Sequence, residues 1–489
     1  MKTGVDRLGE AVAARAPTHV GLSALLAGIL VGLVPVGAVV FGAPVRLLLV
    51  GGAVVYVLAS VALDAVFEGA AVAFVFTAVF NTRAMFFVDG PELRLVSLLG
   101  LLTAALLVHR GVPEGWLRRP GRRLVVGAAA VFVLWGALAA LLGSGPDREA
   151  AIWYVVEQAR YLALLVLAAL LVDRGDPEDV LAPVTAGLGA TLVFAVDEVF
   201  AGKGGYLVNF GTVGYDVARL WPSPSLSAFT RRGTVLYEAG AFGQNRTIVG
   251  LAIVFVPIVL AFSLRSRRHA LVSLTGVLGV VSIVASGSHA AIAGLYAGLV
   301  PVALYAAHTA FDRAGMARAR RLVVPVSLCV GAVAVVAALA AAVSGPQNIL
   351  FVRTNNLGVR LQQYAAAVDV VARHPLVGVG GGGRNVDVVA GRAVHNLFLY
   401  HAAAVGVPGF LAYLTSVVGA TAVCAWRCLV ADTGRRWLWV GVLGGLLGFY
   451  VYGFWTVAWR WELLNATYWL LVGVVVGVEF GRLRARGGS

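Results

Sequence analysis

Apolar residues in this chain fall in blocks of roughly 17 to 25, the length a helix needs to cross a hydrocarbon core of about 30 Å. The blocks lie at 19–43, 45–66, 69–88, 94–108, 124–143, 151–172, 180–199, 247–264, 270–286, 289–310, 322–344, 396–424, 437–457 and 465–480. None shows the residue-by-residue alternation of a membrane β-strand. The pattern predicts an all-α polytopic integral membrane protein with about 14 transmembrane helices. Asn81, Arg83 and Asp89 interrupt the third and fourth blocks, so a re-entrant pair is the alternative there. The first block is long and lacks a small-residue cleavage site, and is expected to act as an uncleaved anchor.

Two segments between blocks are too long for simple turns, 200–246 and 345–395, and loops of that length usually carry function. They divide the chain into N-terminal transmembrane helices (1–199), a loop (200–246), central transmembrane helices (247–344), a large loop (345–395), and C-terminal transmembrane helices with a basic tail (396–489). Within the large loop, Leu357, Leu361, Tyr364, Val368 and Val371 recur on one narrow stripe at about 100° per residue. This predicts an amphipathic helix with Arg360 bordering the stripe and Asp369 and Arg373 facing away from it.

Composition agrees with a membrane location. Of 489 residues 60% are hydrophobic and 13% charged, against roughly 25% charged in a soluble globular chain. Cys329, Cys424 and Cys428 lie in or beside apolar blocks and form no disulfide framework. The net charge of +14 would suggest nucleic acid in a soluble protein, but here it sorts by membrane side. Eighteen of the 36 arginines sit at 110–123, 265–268, 313–321, 427–436 and beyond Phe480. The positive-inside rule places all five segments in the cytoplasm. An even number of crossings then puts both termini inside and both long loops outside the cytoplasmic membrane.

Both outer loops are nevertheless basic. One carries Arg353, Arg360, Arg373, Arg384 and Arg392, the other Lys203, Arg219, Arg231, Arg232 and Arg246. Long loops translocate whatever their charge; the functional alternative is an anionic ligand at the outer face, which guanidinium groups bind well.

The large loop also holds His374-Pro375-Leu376-Val377-Gly378-Val379-Gly380, followed by Gly381 to Gly383, and ends at His395-Asn396 where the chain re-enters the membrane. The proline stops a helix, and the glycines allow positive φ and close backbone approach, as in an anion-cradling turn. These motifs, with Arg360 and Gly406-Val407-Pro408-Gly409-Phe410, together resemble the shared region of the O-antigen ligase and O-antigen polymerase (WaaL/Wzy) superfamily.

The resemblance implies a GT-C-like, metal-independent, inverting membrane glycosyltransferase that uses no cofactor. Its donor would be a polyprenyl-diphosphate-linked oligosaccharide, and its acceptor a hydroxyl of a glycolipid or glycan, or of a protein. Neither substrate is a nucleic acid, and the work is done at the bilayer's outer face. His395 would be the catalytic histidine and Arg360 the contact to the diphosphate, with Gly380, Arg384 and Arg392 as further phosphate contacts and Asn396 and His374 as supporting residues.

The family often places an arginine at the outer end of an earlier helix, where this chain has His289. Arg246 is a candidate for the missing charge, the alternative being an arginine that only snorkels. His401 reads as structural, and the Tyr and Trp residues of 450–461 as an aromatic belt. A polysaccharide or lipid-linked-oligosaccharide flippase or transporter is the runner-up, although a transporter needs its charges at mid-membrane.

Overall fold

The computed structural model describes residues 115–174, 177, 181, 246–265, 270–285, 289–314, 354–382, 385–431, 433–456, 458 and 462–480. Blocks 19–43, 45–66, 69–88, 94–108 and 322–344 lie outside them, as do block 180–199 except Leu181 and the loop 200–246 except Arg246, where a helix begins. Each of the other eight blocks is a helix. In chain order these are α1 (Pro120–Leu142), α2 (Arg148–Arg174), α3 (Arg246–Arg265), α4 (Ala270–Ala285), α5 (His289–Arg313), α8 (Leu397–Val430), α9 (Thr433–Trp455) and α10 (Glu462–Phe480). Between α5 and α8 come α6 (Thr354–Arg373) and the short α7 (Asn385–Val389).

The described residues contain no strand. Five helices, within α1, α2, α5, α8 and α9, are long and apolar enough to span a bilayer, and shorter apolar helices occupy Val249–Leu264 and Leu464–Glu479. The protein is a multi-pass membrane protein.

Packing inside a membrane has no water to expel, so helices must gain contact by close approach over small residues. Glycines provide it here. A Cβ added to Gly294 or Gly298 of α5 would lie 2.9 Å from the carbonyl oxygen of Gly448 or Gly444 of α9. On its other side α9 meets α3, where a Cβ on Gly441 would be 2.7 Å from Cα of Ile258. Likewise α10 lies on α2, with Gly477 facing Ala169. Against α1, α8 is tied by the Ser416 hydroxyl, which donates to the Val125 carbonyl at 3.0 Å. The expected aromatic belt is partly core: Tyr452 is fully buried between these helices.

Charge marks the two ends of the bundle. At one end Arg122 lies 3.6 Å from Asp173, Arg427 pairs with Glu479, and Arg436 donates to the Ala431 carbonyl at 2.9 Å. The other end carries the turn 143–147 between α1 and α2, helix α6, the glycine run and the start of α8.

That end is organised around a break in α8. Gly406 has φ 71° and ψ 178° inside the helix, a backbone state that only glycine adopts readily. Two residues on, Pro408 has no N–H to give. The carbonyls of Ala403 and Ala404 are therefore released, and Val379 N–H and Gly380 N–H donate to them at 3.0 and 2.9 Å. The released Val407 N–H donates to the Pro375 carbonyl at 2.7 Å. These three backbone groups freed at the break are thus partnered by the His374–Gly380 segment, as burial in a low-dielectric interior favours.

The loop can reach because it has no Cβ where it touches: at Gly378, with φ 66°, an added one would be 2.6 Å from the Ala403 oxygen. The two motifs that carry the family resemblance are two halves of one joint. On its far side the loop meets the α1–α2 turn, where Gly145 N–H donates to Val379 at 2.8 Å. Asn385 clamps the same turn, accepting from Asp147 N–H at 2.8 Å and donating to its carbonyl at 2.7 Å.

Candidate active site at one end of the bundle

Helix α6 forms where the stripe predicts it, but it packs on a different face. Gln363, Ala367 and Val370 are buried, Arg360, Tyr364 and Val371 are half-buried, and Leu361 and Val368 are exposed. The packed face is turned by roughly a quarter of a circle from the apolar stripe, because Ala367 lets the backbone approach while two of the larger side chains are left outside. Arg360 consequently lies within the packed face instead of at its border. Its guanidinium donates to Gln363 Oε1 at 3.4 Å. Asp369 and Arg373 point away as expected and pair with each other at 2.7 Å.

One helical turn after Arg360, the Tyr364 hydroxyl donates to the carbonyl of Phe454 at 2.7 Å. That carbonyl belongs to the last turn of α9, where backbone acceptors have no intrahelical donor. Burial raises the Tyr364 pKa above its ordinary value, opposed by the Asn396 side chain and by the Arg360 charge, so the phenol is the neutral donor this geometry needs.

Asn396 is the N-cap of α8, its Oδ1 accepting from Leu399 N–H at 2.9 Å. This is the local use of asparagine its position suggests. Just before it, 393–396 runs without helical or sheet pairing. Val394 and Asn396 are buried, and Val394 N–H is held by Asp387 Oδ1 at 2.9 Å. In extended backbone, alternate side chains point to opposite sides, so anchoring 394 and 396 turns His395 outward. It is half-buried, with Nδ1 3.4 Å from the Ala393 carbonyl.

The remaining predicted residues distribute as follows. Arg392 donates to Gln362 of α6 at 2.9 Å, joining the segment before His395 to the helix of Arg360. The His374 ring meets the Ser144 hydroxyl at 3.2 Å and so supports the α1–α2 turn. Gly380 has its N–H committed to Ala404 and is buried. The glycine run is therefore a packed joint here and not the open anion cradle the sequence suggested. Arg246 and His289 are the first residues of α3 and α5. Those helices begin at this same end, since Gly250 faces Tyr452 and Leu464 and Gly294 faces Tyr452. The side chains of both residues, and Arg384 entirely, lie outside the described residues. His401 is buried as expected, with Nδ1 2.8 Å from the Tyr154 hydroxyl and its ring 4.6 Å from Tyr413.

Sequence reading treated Tyr364 only as a member of the apolar stripe and Asp387 only as an offset to the loop's positive charge. The signal for Tyr364 was present: a hydroxyl on an apolar face, four residues from Arg360, needs a partner when buried. Asp387 and Asn385 gave no comparable signal, because their partners are remote backbone groups.

The arrangement places a guanidinium, a phenol, a carboxamide and an imidazole around the mouth of one helix. Residues 274–414 match the family model for O-antigen ligase (Wzy_C). That match supports membership of the O-antigen ligase and polymerase family. The matched segment runs from Leu274 in α4 to Leu414 in α8 and contains Arg360, the whole joint, His395 and Asn396. The match points to a membrane enzyme of glycan transfer of the ligase or polymerase type. No curated protein matches it.

Proposed function

We propose that the protein transfers a glycan from a polyprenyl-diphosphate-linked oligosaccharide to an acceptor hydroxyl at the outer face of the cytoplasmic membrane, with inversion and without a metal. The acceptor would be a sugar of a glycolipid or of another glycan. The observation that supports this reading is the packing of α6 on α8, with Arg392 bonded to Gln362, which leaves Arg360 and His395 at the same end of the bundle, within the O-antigen ligase match.

In the reaction, the acceptor oxygen bonds to the anomeric carbon as the bond from that carbon to the diphosphate breaks. His395 takes the hydroxyl proton, as an imidazole can near neutral pH. The diphosphate departs with an added negative charge, and Arg360 stabilises it with charge-assisted hydrogen bonds. Arg246 and Arg392 supply further positive charge.

The test is the purified full chain in liposomes with a polyprenyl-diphosphate oligosaccharide and a glycolipid acceptor. Covalent product should form without nucleotide sugar, and EDTA should not reduce it. His395→Ala and Arg360→Ala should each lower turnover by about 100-fold or more while the protein still inserts. Movement of the donor across the bilayer with no product would refute the reading.

A further inference from the structure

The carboxylate of Asp387 and the imidazole of His395 are joined through a single peptide bond. Asp387 Oδ1 accepts from the Val394 N–H at 2.9 Å, and the carbonyl at the other end of that peptide, Ala393, lies 3.4 Å from His395 Nδ1. A peptide unit is planar and stiff, so holding its N–H also aims its carbonyl. The contact to the imidazole is long, as contacts to catalytic groups commonly are before substrate is bound.

The grip on that peptide is built independently of His395. Asp387 is buried in α7, and α7 is fixed to the α1–α2 turn by the two Asn385 bonds. Ala390 N–H donates to the Val386 carbonyl at 2.9 Å and Gly391 N–H to the Val388 carbonyl at 3.1 Å, which closes the chain back toward Val394, itself fully buried. A carbonyl can only accept, so the Ala393 contact requires the proton on Nδ1 and, in a neutral imidazole, leaves the lone pair on Nε2. We propose that Asp387 is a positioning residue that acts through the 393–394 peptide to hold His395 as the Nδ1–H tautomer, so that Nε2 is the nitrogen that takes the acceptor's proton. The inference rests on the transfer reaction proposed above. The proton passes from the hydroxyl to Nε2 as the acceptor oxygen bonds to the anomeric carbon and the bond to the diphosphate breaks, while Nδ1 keeps its own proton and its carbonyl partner. An aspartate that only satisfied the Val394 N–H would affect stability and leave both the tautomer and the turnover of each folded molecule alone.

Nitrogen NMR of the full chain in lipid nanodiscs, carrying isotope-labelled histidine, reads the tautomer directly. The His395 signals, assigned by their loss in His395→Ala, should show a protonated Nδ1 and an unprotonated Nε2. Asp387→Ala removes the grip, and His395 should then become a mixture of the two tautomers. In the transfer assay, kcat per folded molecule should fall by roughly 10- to 100-fold in that variant, with KM for the lipid-linked donor within about twofold. Asp387→Asn keeps an acceptor oxygen at the same reach, and should retain both the single tautomer and most of kcat.

An Nε2–H tautomer in the wild-type chain, a single Nδ1–H tautomer kept in Asp387→Ala, or a rate loss matched by the unfolded fraction would overturn the assignment. Where Asp387→Ala fails to accumulate, the wild-type chain and Asp387→Asn decide, and mixed tautomers in either one would overturn it. A wild-type chain that transfers nothing would overturn the reaction instead, and the tautomer comparison would still decide whether Asp387 sets the imidazole.

Discussion

Asn396, beside His395, caps α8, its Oδ1 accepting from Leu399 N–H. Asn396→Ala removes the cap, at a cost of about 1 kcal/mol. The thermal midpoint of the purified protein should drop, and turnover should drop further than the unfolded fraction explains. Asp387 works at a greater remove. Its carboxylate holds the buried Val394 N–H, and Asp387→Ala would leave that donor unpaired at a cost of about 1–3 kcal/mol. Asp387→Asn keeps an acceptor oxygen and should retain most of the activity; equal losses in the two variants, measured by product formation, would show that the charge and not the acceptor matters. Asn396 was legible in the sequence as a supporting residue beside His395, and its cap reaches only three residues along the chain. Asp387 was not, because its partner is fixed only when the segment 387–394 closes on itself.

Among elements, the broken helix α8 is the one whose shape depends most on another segment. Gly406→Ala would force a Cβ toward the carbonyls of Leu376 and Pro375 and strain a backbone state that costs about 1–3 kcal/mol for other residues. Gly378→Ala would do the same from the other half of the joint. Each variant is expected to lower accumulation in the membrane, and the double variant should be less than additive, since one broken joint cannot be broken twice. Fluorescence-detected gel filtration of the solubilised variants measures this. Helix α6 teaches a complementary lesson. Its existence followed from periodicity, yet its packed face did not, because Leu361 and Val368 remain exposed while Gln363 is buried. An apolar stripe at a bilayer edge can be covered by lipid as well as by protein, so hydrophobicity alone does not choose between them.

At the scale of the whole molecule, Arg122, Arg427 and Arg436 lie at one end and the glycine joint, α6 and His395 at the other. In a cysteine-free background, Ser144→Cys in the α1–α2 turn and Arg435→Cys at the start of α9 should be labelled by a membrane-impermeant maleimide from opposite sides, Ser144→Cys from outside. Labelling of both from one side would contradict the two-ended arrangement.

What the sequence by itself determined was that the eight described blocks are helices and that α6 exists. In hydrocarbon a backbone has no solvent to bond with, so an apolar run of this length must satisfy itself by coiling. What only the tertiary structure decided was everything that depends on remote backbone. The glycine run is committed to repairing the break at Gly406, α6 is seated on Ala367, and a tyrosine hydroxyl joins the arginine helix to the last turn of α9. Those partners lie tens of residues apart in the chain, where neither periodicity nor composition carries information about which groups will meet.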